Sequence, residues 1–221
     1  MKKQIITLAV AFFAALTCLR ADTSYLLIQG AFGPGGTEET FKWAVTYPTG
    51  YAISGQDLLT AVFGPATLNG TYSDDFGGTF PYYTAGNGTQ GASYIDFAGG
   101  FGAPFLASVT LNSTTVAQDT SYNSTWSYYV AGGGSNLGNG YDNSGAWTFS
   151  QDGSLVRTPV DGSFDAWVFG PFGVTVDGEG NTPTAENFAG ATALSIPEPG
   201  STTLLLVGAG GLLAYFKKRR A

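Results

Sequence analysis

Histidine does not occur in this chain of 221 residues, and cysteine and methionine occur once each, as Cys18 and Met1. Everything beyond position 18 therefore lacks both imidazole and thiol. Ser-His-Asp and Cys-His nucleophilic mechanisms are excluded there, and so are the usual zinc sites. No disulfide can brace the fold, which has to rest on its own apolar core. Cations are scarce too. Between positions 22 and 196 only Lys42 and Arg157 are basic, against fifteen of the sixteen acidic residues of the chain. That balance repels phosphate backbones and anionic headgroups, so no nucleic-acid partner is expected. Long helical periodicity is also missing, while Gly, Ser, Thr, Asn and aromatic residues run throughout. The chain therefore reads as mainly β.

What is present declares itself at the two ends. Lys2 and Lys3 precede an apolar run at 5–16, followed by Thr17-Cys18-Leu19-Arg20-Ala21. These charged, apolar and small-residue regions are those of a signal peptide for the Sec export route over residues 1–21, cleaved after Ala21. Leu16-Thr17 does not match the small-residue pattern that would make Cys18 a lipidation site. At the other end, Pro197, Glu198 and Pro199 stand before residues 201–216, which carry no charge, and the chain closes on Lys217, Lys218, Arg219, Arg220 and Ala221. As a helix the apolar run rises about 24 Å against a hydrocarbon core of about 30 Å. Spanning the membrane in a single pass requires Lys217 and Lys218 to snorkel outward, with Tyr215 at the interface. The basic cluster is then a membrane stop on the cytoplasmic side, which leaves everything up to Pro197 outside. Pro197 and Pro199 fix their own φ and bias Ile196 and Glu198 away from the helical region, so this acidic handle is extended and stiff.

Pro-Glu-Pro, a short glycine-containing apolar helix and a terminal basic cluster, in that order over residues 197–221, resemble the PEP-CTERM sorting signal of Gram-negative bacteria. The resemblance implies processing by an exosortase, a membrane-embedded cysteine transpeptidase, and release or attachment at the cell surface. It also implies association with exopolysaccharide and biofilm. On this resemblance Pro197, Glu198 and Pro199 are the recognition element. Gly200 follows where many such signals have Ser or Ala, which leaves the cleavage position open.

Residues 22–178 form one β-rich extracytoplasmic domain, long enough to bury a core. Strands are expected at 25–29, 41–47, 93–97, 105–111, 114–118, 125–131, 146–150, 154–157 and 164–169. In the second of these Phe41, Trp43, Val45 and Tyr47 face one way, Lys42 and Thr46 the other. Asn112-Ser113 and Asp152-Gly153 read as hairpin turns. One segment breaks the β pattern. Ser54-Gly55-Gln56-Asp57 has the spacing of a capping box, Leu58, Leu59, Val62 and Phe63 follow at helical offsets, and Gly64-Pro65 ends the run, which predicts a helix over 55–63. Residues 179–196 read as a spacer, with a last strand open at 188–196. The architecture is a β-sandwich or a β-grasp-like sheet. Two strands, the helix, then Trp126-Ser127-Tyr128-Tyr129-Val130 and Asp161-Gly162-Ser163 before Trp167 resemble the β-grasp-like domain at the C-terminus of transcobalamin-type proteins. Ala131-Gly132-Gly133 stands where that family has Asn-Gly. The resemblance concerns fold alone and implies no cobalamin binding.

Carboxylates remain as the one catalytic resource. Asp74-Asp75 and Asp161/Asp165 are the near pairs that a glycosidase would need, but both stand beside glycine-rich sequence and read as solvated turns. Asp177-Gly178-Glu179-Gly180 lacks the alternating oxygen ligands of a calcium loop, and no Lys-Ser/Thr follows Gly132-Gly133-Gly134 to make a phosphate cradle. No catalytic set, metal or cofactor is assigned. Trp43 and Trp167 read as core, whereas Trp126 and Trp147 are the candidates for stacking a ligand ring. Together these features describe a non-enzymatic surface protein held by a sorting tail. Its expected role is structural or adhesive, in the cell-surface or exopolysaccharide matrix. The alternative is a surface-displayed module that binds a glycan or another small molecule through exposed aromatics.

Overall fold

The computed structural model describes residues 20–87, 89–96, 105–134, 142–144, 147–150, 153–171 and 184–197. Strand β1 (Ala21–Gly30) pairs antiparallel with β2 (Glu39–Pro48) along its whole length, from Ala21 opposite Pro48 to Gly30 opposite Glu39. Helix α1 (Gly55–Phe63) follows, and its capping box is formed as expected: Ser54 N donates to Asp57 Oδ2 at 2.7 Å, and Asp57 N donates to Ser54 Oγ at 3.2 Å. These bonds satisfy backbone donors that the first turn leaves without partners. Gly64, at φ 83°, ends the helix.

Five strands then form an antiparallel meander: β3 (Thr67–Ser73), β4 (Thr79–Gly86), β5 (Gly91–Ile95), β6 (Phe105–Leu111) and β7 (Thr114–Ala117), hydrogen-bonded in sequence order. The chain returns to the first sheet with β8 (Thr125–Ala131), β9 (Asp142–Ser144), β10 (Trp147–Phe149), a single-turn helix α2 (Gly153–Val156), β11 (Phe164–Gly170) and β12 (Thr192–Ser195). Among the described residues that sheet has the order β12-β2-β1-β11-β8-β10-β9. Its centre is a parallel pair, β1 with β11, and β12 lies parallel to β2 at one edge.

The centre of the larger sheet is buried on both faces, which is why β1 reads at Tyr25, Leu26, Leu27 and Ile28 as a continuous apolar run and not as an alternation. Leu26 and Ile28, with Trp43, Val45, Trp126, Tyr128 and Trp167, share one core with Leu58, Leu59 and Phe63 of α1 and with Tyr94, Leu106 and Val109 of the meander. Leu27, Tyr129, Trp147, Phe164, Ala166 and Val168 form a second cluster on the opposite face, and Phe188 packs into it.

Three expectations are revised. Residues 154–157, expected as a strand, include the end of α2. There the polar Ser154 and Arg157 are fully buried while Leu155 and Val156 are exposed, the reverse of what an alternating strand would do. Strands β3 and β4 were not expected. β3 is exposed along nearly its whole length and contains Gly70, and β4 contains Pro81, so neither carries a clean hydrophobic alternation. Residues 184–196 are not free spacer. They fold onto the domain through a 3-10 turn (Ala185–Phe188) and β12, which forms within the last strand left open at 188–196. No helix among the described residues is long and apolar enough to cross a membrane. Residues 1–19 and 198–221, with the expected signal peptide core and the expected spanning helix, lie outside the described residues.

Candidate functional site

The approach to the tail is built from local chemistry. Thr184 and Asn187 form a second capping box around the 3-10 turn, and Phe188 is buried against the rings of Tyr25 and Phe164, with centroids 5.0 and 5.3 Å away. Lys42 reaches across from β2, donating from Nζ to Asn187 O at 2.8 Å and lying 5.6 Å from the centre of the Phe188 ring. β12 then runs beside β2 in register, Thr192 opposite Trp43 and Ser195 opposite Thr46. Thr46 Oγ1 donates to Leu194 O at 3.1 Å, and the last ladder bond is Ile196 N to Thr46 O at 2.8 Å. Pro197 has no N–H, so pairing through the donor must stop there. It is exposed, one residue past the ladder. Glu198 and Pro199, like Lys217, Lys218, Arg219 and Arg220, lie outside the described residues. The arrangement places Pro197, the first residue of the expected recognition element, directly off the edge of a folded sheet.

A second constellation is interior. Arg157 and Asp165 are both fully buried, with Arg157 Nε 3.3 Å from Asp165 Oδ1, and the Tyr128 hydroxyl donates to the same oxygen. Burial pushes the Asp165 carboxyl above its usual range, against the opposing pull of the Arg157 charge and the Tyr128 hydroxyl. Burial also pushes the Tyr128 phenol well up, and the neighbouring Asp165 charge adds to the effect. Gly55 N donates to Arg157 O at 3.0 Å, Ser154 Oγ donates to Gln56 Oε1 at 2.9 Å, and a Cβ at Gly55 would collide with the Tyr128 hydroxyl. The cluster therefore ties the start of α1 to α2, β8 and β11. Being sealed from solvent, it is a brace rather than a place for a substrate.

Asp165 is thus no solvated turn residue. It lies within β11, and what obscured it was the adjacent Asp161-Gly162-Ser163 turn. Asp161 itself is partly exposed, accepts from Thr23 N at 2.9 Å and lies 3.9 Å from Arg20. Asp74 does organise a turn: its Oδ1 accepts from Phe76 N at 3.0 Å and Gly78 N at 2.6 Å. The stacking role expected of Trp126 and Trp147 is also corrected, because their exposures are 4% and 0% and neither offers a ring face to a ligand. Trp126 packs with Phe32 and Phe169, and Trp147 with Phe164. Asp177 and Glu179 lie outside the described residues. Among the described residues no group of three or more acidic or thiol side chains is gathered as a metal site.

A family model for the PEP-CTERM protein-sorting motif matches residues 195–220. The match begins at the last residue of β12, so motif and folded domain meet with no intervening tether. No curated protein and no solved structure matches the chain. The motif marks an exported protein that is sorted at its C-terminus and anchored at a membrane for that purpose.

Proposed function

We propose that this chain is a surface-displayed, non-enzymatic β domain, presented to an exosortase-like membrane transpeptidase by its C-terminal motif. In this reading residues 1–21 direct export and are removed, residues 201–216 cross the membrane, and Lys217, Lys218, Arg219 and Arg220 hold the tail on the cytoplasmic side. Pro197, Glu198 and Pro199 are what the enzyme reads. After processing the domain serves a structural or adhesive role in the cell-surface or exopolysaccharide matrix. Its acidic surface keeps it soluble and away from anionic partners. The observation that carries this reading is the match over residues 195–220, which starts where the sheet ends. Of the two architectures, the β-grasp-like one is better supported: a hairpin of β1 and β2, then α1, and a central order β2-β1-β11-β8 with β1 parallel to β11.

The test is the intact mass and C-terminal peptide of the protein recovered from its native cell surface. A product ending near Pro199 is the expected result. A product still ending at Ala221 would mean a plain single-pass anchor and would remove the transpeptidase from the account.

A further inference from the structure

The outward face of the meander carries a groove of a chemistry quite unlike the rest of the domain. Thr67 lies opposite Thr84, Thr84 opposite Ser93, and Ser93 opposite Ser108, so four hydroxyl residues form one row across β3, β4, β5 and β6. Residues two apart along a strand share a face, which puts Tyr82 and Gly86 beside Thr84, and Thr110 beside Ser108. The opposite face, with Tyr83, Ala85, Ala92, Tyr94 and Val109, is turned into the core. Gly86 and Gly91 are directly paired and carry no side chain, so the face dips between Thr84 and Thr110. A cavity of about 500 Å³ results, lined by Thr67, Tyr82, Thr84, Ser93, Ser108 and Thr110 together with Pro65 and small residues. With neighbouring strands about 4.8 Å apart, the four-residue row extends about 14 Å.

Two features point to its occupant. No charged side chain lines the cavity, and the charged residues between positions 65 and 117, Asp74, Asp75 and Asp96, are all acidic. A cationic ligand would find no counter-charge there, and an anionic one would meet the acidic surroundings. The lining is also supplied with hydroxyl groups at different stages of commitment. Ser93 and Ser108 bond each other at 2.6 Å. The Thr84 and Tyr82 hydroxyls bond no other group among the described residues, and the Tyr82 ring supplies an apolar surface against which a sugar ring can lie. Alternating hydroxyl donors and acceptors beside an aromatic ring, without net charge, complement a polyhydroxylated neutral chain.

We propose that this groove binds a neutral saccharide chain, laid across β3 to β6 with a ring on Tyr82 and its hydroxyls bonded to Thr67 and Thr84, while the buried Ser93 and its partner Ser108 form the floor. The site stands independently of the sorting motif, and it places the aromatic contact at Tyr82 instead of at the two buried tryptophans.

Isothermal titration on the full chain in a zwitterionic, sugar-free detergent tests it. The probes are neutral hexasaccharides of glucose, galactose, mannose and xylose, with an oligogalacturonate as the anionic control. At least one neutral probe should bind, and the oligogalacturonate should not. Thr84→Val, which keeps shape and removes one hydroxyl, should weaken binding by about three- to tenfold, and Tyr82→Ala should weaken it further. Unchanged urea unfolding of the Thr84→Val protein would show that the loss is local. Absence of heat with all four neutral probes overturns the proposal, as does preference for the oligogalacturonate or indifference to both substitutions. Self-association that buries the groove and blocks the probes would assign this face to a second copy of the chain and equally overturn it. Because the unprocessed chain is used, none of these outcomes depends on whether the tail is cleaved.

Discussion

Arg157 is one of only two basic residues between positions 22 and 196, and it is held in the interior beside Asp165. A buried charge that loses its partner is left uncompensated, so Asp165→Ala should cost about 3–5 kcal/mol in urea unfolding. Replacing both members with apolar residues of similar volume should recover most of that loss. Two carboxylates also predict opposite pH behaviour. Asp165 has a raised pKa because burial disfavours its charge, so its contribution to stability is greatest below the unfolded value of about 3.8 and is lost as pH rises through its folded value. Desolvation raises Asp119 too, but the N–H groups of Asn123 and Ser124 and the Ser121 hydroxyl outweigh it and leave the pKa lowered. The Asp119 contribution is therefore present above about 3.8 and disappears as pH falls through its folded value. Urea midpoints across the acidic range should lose the first slope in Asp165→Asn and the second in Asp119→Asn. Neither behaviour is legible in the sequence: Asp119 sits in polar, turn-like surroundings, and Asp165, inside the expected strand at 164–169, carries no local sign of its Arg157 partner.

Among the elements, those with complete local signals were foreseen. The expected ranges 105–111 and 125–131 coincide with β6 and β8, and Ser54 with Asp57 does start α1. Asn112-Ser113 does turn the chain between β6 and β7, with φ of 50° and 65°. A serine pays for that left-handed conformation with roughly 1 kcal/mol, so Ser113→Gly should raise stability by about that amount in thermal or urea unfolding. α2 carries no legible helical pattern because Leu155 and Val156 face outward and Ser154 inward, just before the buried Arg157 that pairs with Asp165. Residues 179–196 read as a spacer because Gly180-Asn181-Thr182-Pro183-Thr184 carries no strand pattern, yet Phe188 and Ala191 pack into the second cluster and Leu194 and Ile196 against the first. Phe188→Ala should destabilise the domain by about 3–5 kcal/mol, whereas a true spacer would give no change in unfolding.

At the scale of the molecule, the acidic excess acts on everything at once. Self-repulsion works against the compact state and is screened by salt, so raising ionic strength should move the urea midpoint upward. A falling midpoint would show that attractive pairs outweigh repulsion. The acidic composition of residues 22–196, the exclusion of thiol and imidazole chemistry beyond Cys18, the sorting tail and the capped helix were all determined by the sequence alone. Each is written in contiguous residues, where order and spacing are themselves the physical cause. The rest was decided only by tertiary structure. Tyr25 meets Phe164 through the parallel pairing of β1 with β11. Arg157 closes on Asp165, Trp126 and Trp147 turn inward, and β12 docks beside β2 to bring Pro197 to the sheet edge. The hydroxyl row of the meander likewise exists only once four strands are in register. These features depend on which distant segments share a core, and burial, not local pattern, selects that.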